Sequence, residues 1–537
     1  MGSETLILVG LALIFGLYMA WNIGANDVAN AMGTSVGSGA LTLKRAVILA
    51  AVMEFCGAFL VGPHVSETVQ KGIVDPADIQ VTEVQKAFGL EATPDKSAIE
   101  ALAEQAKHDV AVEAKLREAN RRAALVLSYG MIASLLAAGI WLQIASYFGW
   151  PVSTTHSIVG AIVGFGVVYG GIGAVNWFGE GTFSAIFSGK GGVVSILASW
   201  VVSPLLSGTI AFVIFRLVLT GIFYKPDPLA AAKKGTPYIV FAVMVTMTLV
   251  LAFKGLKPFW KNLGYHHLDA LPLTIGLTGG VVAGILGALI SRMLVGRLKT
   301  GGQLASEQAH FLYVSRALSK AIMHLRRARN SSWGKTKLAT DAAVQQTKAI
   351  YREVRGQTDV GQAKSVYPQV ERIFVCLQVI SAGFVAFAHG ANDVANAIGP
   401  LSVVVETART MQIPEKASVP LWMLGLGGVG IVLGLATWGW RVIATVGKRI
   451  TELTPSRGFC AEFAAAMTIL LASVYKLPVS TTHCLVGAVL GVGLARGIGA
   501  LNLRTVRDIV VSWIVTVPAG AGLTILFFYI LSAVFGR

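Results

Sequence analysis

The sequence predicts an all-α integral membrane protein with about twelve transmembrane helices in two inverted-topology repeats. Three observations lead to this fold class: the composition, the number of long apolar segments, and an internal duplication. Of 537 residues, 54% are hydrophobic, 13% carry charge and 60 are glycine. That combination is rare in soluble globular proteins and typical of membrane proteins.

Apolar runs of about 20 residues, long enough to cross a bilayer, recur along the chain. Twelve such runs are centred near Leu11, Ala51, Ser134, Ile162, Ile210, Val245, Ile285, Val379, Val432, Thr468, Leu490 and Leu523. The first run leads directly into polar residues and has no small-residue cleavage site. We therefore interpret it as a span and not as a signal peptide.

The net charge of +16 would suggest a nucleic-acid partner in a soluble protein. Here the charges lie between the spans, so the sequence predicts a lipid bilayer around the chain and no nucleic acid. Residues 292–372 contain 15 Lys/Arg and 5 Asp/Glu, whereas residues 63–122 contain 8 basic and 11 acidic side chains. The positive-inside rule then predicts a cytoplasmic central loop, with both termini outside a bacterial inner membrane or plasma membrane.

The pattern predicts four segments. An N-terminal repeat covers residues 1–223 and includes an extracytoplasmic insertion at 65–121. Linking spans occupy 224–295 and a basic cytoplasmic loop follows at 296–371. The C-terminal inverted repeat covers 372–537.

The strongest feature is the duplication. The sequence GANDVANA occurs at 24–31 and again at 390–397, and PVSTTH occurs at 151–156 and at 478–483. Seven predicted spans separate the two copies, and an odd number places the second copy upside down. Inverted repeats with a site at mid-depth are typical of secondary transporters. Ion channels can also be built this way and form the competing class.

The first motif places a costly carboxylate inside the membrane. Asn26, Asp27 and Asn30 lie close in sequence at spacings that bring helical side chains together. Their equivalents in the second copy are Asn392, Asp393 and Asn396. A carboxylate at the centre of a bilayer costs about 2.5–3.5 kcal/mol on insertion scales, so it usually has a function. Carboxylate and amide oxygens are suitable ligands for sodium.

The second motif predicts an anion site. Ser153, Thr154 and Thr155 stand at the start of a glycine-rich apolar helix, whose first N–H groups and dipole favour negative charge. Ser480, Thr481 and Thr482 are the matching residues of the second copy. Two such helix ends would surround a tetrahedral oxyanion with donors.

Five further ionisable residues lie in the apolar runs. His156 and His483 follow the two Ser-Thr-Thr sequences and could bind the anion, carry a proton or orient a hydroxyl group. His389 has no equivalent, because Ile23 takes its place in the first copy, and it is a candidate proton or gating residue. Glu54 and Glu462 are lone carboxylates and therefore candidate cation ligands.

Enzymatic chemistry is not indicated. The hydroxyl and imidazole groups of the second motif are adjacent in sequence and would point in different directions, so they do not form a nucleophile–base pair. No nucleotide-binding sequence G-x-x-x-x-G-K-[ST] occurs, which argues against ATP-driven pumping. We expect no cofactor other than a coupling ion.

In these motifs the sequence resembles the inorganic phosphate transporter (PiT) family of sodium- or proton-coupled symporters. The resemblance implies twelve spans, a cytoplasmic central loop and a phosphate site shared by the repeats. It also implies essential roles for Asp27 and Asp393, phosphate contacts from both Ser-Thr-Thr sequences, and support for coupling from Glu54 and Glu462. The sequence around Glu54 and the intact asparagines resemble the sodium-coupled branch.

Three alternatives on substrate and assembly stay open at this point. The first is proton-coupled transport of a metal–phosphate complex. The second is a permease for sulfate or another oxyanion on the same fold. The third concerns assembly, because the apolar surfaces of the fifth to seventh spans would serve either a homodimer interface or lipid contact.

Overall fold

The computed structural model describes residues 3–61, 73, 76–90, 101–102, 104–179, 192–252, 271–296, 314, 318–319, 321–326, 328–358, 366–414, 417–474 and 479–536. Within these ranges only the backbone is described at 3–4, 29–30, 60–61, 250, 271–272, 354–358, 366–367 and 473–474. The side chain of Asn30 therefore lies outside the description. So do Pro478, most of residues 62–75, and most of residues 297–327 in the predicted basic loop.

The described chain is helical, and it contains no β-strand beyond one isolated bridge between Thr451 and Leu501. The main helices are α1 (Ser3–Asn26), α2 (Val28–Gly37), α3 (Leu43–Val61), α4 (Pro76–Phe88), α5 (Val110–Phe148), α6 (Thr154–Gly170), α7 (Gly192–Val218), α8 (Pro228–Leu251), α9 (Leu271–Gly296), α10 (Gly334–Thr358), α11 (Val366–Thr410), α12 (Leu421–Trp438), α13 (Pro455–Val474), α14 (Thr481–Arg496) and α15 (Leu503–Phe535).

The helices form two compact units. The first comprises residues 1–212, 246–278 and 378–537, and it contains every candidate site residue. The second comprises 213–245 and 279–377. Within the second unit, Phe223 stacks on Phe374 with ring centroids 6.3 Å apart.

Every predicted span centre lies in a helix, and within the described ranges seven segments are long and apolar enough to cross a membrane. They are Thr5–Gly37, Val110–Phe148, Gly192–Phe223, Leu273–Gly296, Pro368–Thr410, Leu421–Trp438 and Leu503–Phe535. Two further apolar helices, α6 and α14, have 17 and 16 residues. At 1.5 Å per residue each is about 25 Å long, shorter than a hydrocarbon core of about 30 Å. The structure thus confirms an all-helical membrane protein, and the count of twelve spans stays a prediction.

The predicted insertion contains α4 and the start of α5. Gln80 of α4 donates a hydrogen bond of 2.9 Å to Asn120 of α5. Tyr169, at the end of α6, donates to the buried carboxylate of Glu83 in α4. The insertion helix is therefore joined to both α5 and α6.

Glycines bring the helices of the two GANDVANA motifs into backbone contact with α12 and α3. A Cβ atom on Gly24 in α1 would lie 1.8 Å from the carbonyl oxygen of Ile431 in α12. A Cβ atom on Gly390 in α11 would lie 2.2 Å from the carbonyl oxygen of Glu54 in α3. Gly24 and Gly390 are the same position of the duplicated motif. The helix of each motif thus packs on a helix from the other half of the sequence, as small residues in membrane helices allow.

The helices that begin at the Ser-Thr-Thr sequences show the same reciprocity. A Cβ atom on Gly160 in α6 would lie 2.7 Å from the carbonyl oxygen of Val517 in α15. A Cβ atom on Gly487 in α14, the equivalent position, would lie 2.4 Å from that of Pro204 in α7. Each half of the sequence therefore contributes one helix to each of these pairs.

These contacts predict the effect of adding one methyl group to α1. Gly24→Ala should lower the melting temperature of the purified protein in detergent, because overpacking of this kind costs about 1–3 kcal/mol. Gly10→Ala, in the same helix with nothing within 4 Å of the added atom, is the matched control. We expect the control to melt at or above the wild-type temperature, since alanine favours helix more than glycine does. Equal melting temperatures for Gly24→Ala and Gly10→Ala would contradict the close contact between Gly24 and Ile431.

Candidate functional site

The first half of the site begins at Asp27, where the chain passes from α1 into α2. Its neighbour Asn26 is completely buried and fixes the segment that leads into α6. The Asn26 amide donates to Ser146 Oγ and to the carbonyl of Trp150, both at 3.0 Å, and accepts a bond of 3.1 Å from the Val152 N–H. Asn26 thus positions the Ser-Thr-Thr sequence, and its predicted role as a sodium ligand stays a prediction.

The two Ser-Thr-Thr sequences adopt the same local structure. Ser153 has φ −81° and ψ 123°, and its side chain accepts from the His156 N–H at the start of α6. Ser480 has φ −84° and ψ 125°, and its side chain accepts from the His483 N–H at the start of α14. Both serines are N-caps, so each helix presents its N-terminal N–H groups and hydroxyls, as the sequence predicted.

The Asp27 carboxylate joins these two helix ends. Its Oδ2 atom accepts bonds from the Thr154 hydroxyl at 2.6 Å and from the Thr154 N–H at 3.3 Å. Its Oδ1 atom accepts a short bond from the Thr482 hydroxyl of α14. Asp27 and both threonines are buried. One carboxylate from the first motif therefore contacts donors at both helix ends.

A second group of charges lies beside Asp27. His389 Nε2 is 2.5 Å from Asp393 Oδ2 and 3.7 Å from Asp27 Oδ2, and His389 Nδ1 is 3.0 Å from Glu54 Oε2. All four side chains are at most 2% exposed. Ligand atoms of Asp27, His389 and Asp393 lie within 4.8 Å of one another, close enough to hold a metal ion. We call Asp27, Glu54, His389 and Asp393 the acidic cluster.

The second aspartate has a different environment from the first. Asp393 Oδ2 accepts from the Thr481 hydroxyl at 3.5 Å, and Oδ1 accepts from the half-buried Asn392 amide at 2.8 Å. Asn396 donates to the hydroxyls of Thr154 and Thr155, at 3.2 Å each. The second motif thus reaches the helix end of the first half, mirroring the Asp27–Thr482 contact.

The Glu54–His389 pair of the acidic cluster has no charged equivalent at the matching contact between the two halves of the sequence. His389 corresponds to Ile23, and Glu54, which contacts Gly390, corresponds to Ile431, which contacts Gly24. Both isoleucines are completely buried. The Glu54–His389 pair at the Gly390 contact therefore has a purely apolar counterpart, Ile431 and Ile23, at the equivalent Gly24 contact.

Glu462 has a separate set of partners. Its Oε1 atom accepts from Thr34 at 2.5 Å, Ser35 at 3.0 Å and Gln378 at 3.3 Å. Its Oε2 atom accepts a short bond from Ser381. This completely buried carboxylate joins α2, α11 and α13. Sequence reasoning missed its hydroxyl partners, because isolated Ser and Thr in apolar helices usually bond to their own backbone.

A cavity reaches the site between α11, α13 and α14. Its walls are mostly apolar, with Met247 of α8, Phe384 and Ile469 among them, and they also include His389 and Thr481. It therefore connects the acidic cluster with the N-terminus of α14.

The remaining predicted residues, His156 and His483, meet each other. Their ring centroids are 4.8 Å apart and their planes are inclined by 71°. Two tryptophans that the sequence reasoning missed, Trp200 and Trp513, flank the pair at 5.0 and 3.8 Å. A sequence signal was present: Ser-Trp occurs at 199–200 and at 512–513, and each copy precedes a helix-internal proline.

The chain is similar over nearly its whole length to known proteins. The chain matches the phosphate transporter family over residues 23–524. It is 40% identical to a Chlamydia pneumoniae protein with the provisional name phosphate permease, over 98% of this chain and 99% of that protein. It is 39% identical to the chloroplastic inorganic phosphate transporter 2-1 of Arabidopsis thaliana, over 99% of this chain and 73% of that protein.

A solved structure described as the sodium-dependent phosphate transporter is similar to the whole chain. The TM-score is 0.65 at 32% sequence identity, and the match covers 98% of this chain and 100% of the other. The resemblance inferred from the duplicated motifs is therefore confirmed, and the chain belongs to the phosphate transporter family.

Proposed function

We propose that this multi-pass membrane protein imports inorganic phosphate by sodium-driven symport, with alternating access around a site shared by two inverted repeats. Family membership supports phosphate as the substrate, and the similar solved structure is described as sodium-dependent. The observation that carries the proposal is the position of Asp27. Its carboxylate belongs to the acidic cluster and, at the same time, accepts bonds from both helix ends that would hold phosphate.

The acidic cluster has the chemistry of a cation site. It contains three carboxylates and one imidazole, so ionised carboxylates outnumber the positive charge even when His389 is protonated. Uncompensated charge in an apolar interior is costly, and a bound cation removes that cost. Among the described residues Glu54 Oε1 has no hydrogen-bond partner although it is buried. Such an oxygen suits sodium, and we propose it as a ligand together with Asp27 and Asp393.

The helix ends have the chemistry of an anion site. The N-termini of α6 and α14 offer N–H groups, positive dipole ends and the hydroxyls of the two Ser-Thr-Thr sequences. We propose that phosphate binds there, with Ser153, Thr154 and Thr155 on one side and their second-copy equivalents on the other.

The contacts of Asp27 suggest an order of binding. Its carboxylate occupies donors at both helix ends, so it competes with phosphate for them and would repel the anion. Sodium bound between Asp27, Asp393 and Glu54 would offset this negative charge and draw the carboxylate toward the cation. We propose that sodium binds first and thereby makes the threonine donors available to phosphate, which couples the two fluxes.

In alternating access, the two halves of the chain would exchange conformations. The reciprocal contacts α1–α12 and α11–α3, and α6–α15 and α14–α7, support inverted repeats. In such a scaffold the halves move around a fixed central site and open it to one side at a time.

Uptake of radiolabelled phosphate into proteoliposomes is the direct test. We expect accumulation under an imposed inward sodium gradient and none under a proton gradient alone. Accumulation driven only by protons would point to His389 as the coupling residue and overturn sodium coupling. No phosphate accumulation under either gradient, with sulfate transported instead, would overturn the substrate.

Asp27→Asn should separate binding from coupling. Removal of the competing charge should let phosphate bind with a much weaker dependence on sodium, while sodium-driven accumulation is lost. Binding of labelled phosphate is measured in detergent with sodium and with choline. Asp508→Asn, which removes a partly exposed carboxylate from α15, is the charge-matched control. Unaltered sodium dependence of phosphate binding in Asp27→Asn would contradict the proposed order.

Glu54→Gln should weaken sodium binding specifically. The loss of one charged ligand oxygen is expected to raise the sodium concentration for half-maximal uptake about tenfold or more, a difference of about 1.4 kcal/mol. Uptake is measured against sodium at saturating phosphate. Glu406→Gln, at a half-buried position on α11, serves as the control. A wild-type sodium dependence in Glu54→Gln would remove this residue from the cation site.

A further inference from the structure

Four aromatic rings contact one another in succession next to the Ser-Thr-Thr sequences of the proposed phosphate site. Trp200, His156, His483 and Trp513 follow one another with centroid separations of 5.0, 4.8 and 3.8 Å. The first two separations lie within the range of about 4.5–7 Å that aromatic pairs prefer, and His483 stacks more closely on Trp513, with 25° between the ring planes. We call these four residues the ring ladder.

The ring ladder is built from equivalent positions of the two sequence halves. His156 and His483 end the duplicated PVSTTH sequences, and Trp200 and Trp513 end the duplicated Ser-Trp pairs. Both histidines are at most 3% exposed. Within the ladder, the central contact between His156 and His483 is therefore the one that joins the two halves ring to ring.

Each histidine is tied to the cap of its own helix. The N–H of His156 donates to Ser153 Oγ and that of His483 to Ser480 Oγ, both at 3.3 Å. Each imidazole thus projects from the first turn of the helix whose end would bind phosphate. A displacement of one Ser-Thr-Thr sequence relative to its counterpart would therefore change the contact between the two rings.

Trp513, the last residue of the ladder, also contacts the first half of the sequence. Trp513, which stacks on His483, donates from Nε1 to the carbonyl oxygen of Pro151 at 2.9 Å. Pro151 lies two residues before Ser153, at the entrance to α6. The indole therefore connects the histidine of the second half directly with the phosphate-binding segment of the first.

We propose that the ring ladder sets the distance between the two phosphate-binding helix ends, so that they bind the anion as one unit. The four residues are positioning residues: they act through the Ser-Thr-Thr sequences and not by contact with phosphate. The proposal rests on the proposed phosphate site and adds a specific role for the histidine rings, distinct from proton transfer or ligand contact.

The test is a double-mutant cycle on the central contact. His156→Gln and His483→Gln keep a polar amide but remove the ring. Each is expected to raise the KM for phosphate by up to about tenfold, the size of one aromatic contact, with kcat changed less. Because both changes break the same central contact, the double variant should raise the KM by less than the product of the two single effects.

Phenylalanine provides the conservative variants. His156→Phe and His483→Phe retain a ring without its nitrogen atoms, so the KM should return close to the wild-type value. Phe528→Leu is the matched control, because it breaks a ring contact of 5.3 Å with Phe165, between α15 and α6. That contact involves no helix cap, and we expect the phosphate KM to stay unchanged.

Three results would overturn the ring ladder. If the phenylalanine variants raised the KM as much as the glutamine variants, the effect would come from the imidazole nitrogens and not from the ring contact. If the KM of the double variant rose by the product of the two single effects, the histidines would act independently. A wild-type KM in both glutamine variants would show that the contact does not position the site. Wild-type protein is assayed first, and its failure to accumulate phosphate would overturn the proposed function and, with it, this role.

Discussion

The arrangement of this protein depends on one buried carboxylate. Asp27 holds donors from α6 and α14 and lies beside His389, Asp393 and Glu54. A carboxylate in an apolar interior is stable only while its partners stay in place. If a partner moves away, the buried charge is no longer compensated and its desolvation cost is large. The positions of the two helix ends and of the acidic cluster are therefore coupled through one side chain.

Backbone contact between helices makes this arrangement geometrically accessible. Gly24 and Gly390 allow α1 and α11 to approach α12 and α3 at distances that no side chain would permit. Since lipid offers little hydrophobic drive for helix association, such close packing and buried polar bonds provide much of the stabilisation. The contact of Gly390 with the backbone of Glu54, equivalent to that of Gly24 with Ile431, brings Glu54 beside His389.

Much of the site could be predicted because the duplicated motifs bring functional residue types together at recognisable spacing. The N-caps at Ser153 and Ser480, and the meeting of Asp27 with the Ser-Thr-Thr helices, follow from local rules and from the repeat. The acidic cluster could not be predicted as a unit, because Glu54 and His389 lie 335 residues apart and meet only through glycine-mediated packing. The partners of Glu462 and the role of Trp200 and Trp513 depend on side-chain directions that sequence spacing does not determine.

The unequal halves of the site have an energetic consequence. If two perfectly identical repeats exchanged conformations, the states open to either side would have the same free energy and would be equally populated. The Glu54–His389 pair at one contact between the halves, and Ile23 with Ile431 at the equivalent contact, would remove that degeneracy. If the chain works by alternating access, a charged pair and an apolar pair would respond differently to entering water, and the resting protein would be biased toward one face of the membrane even without any gradient.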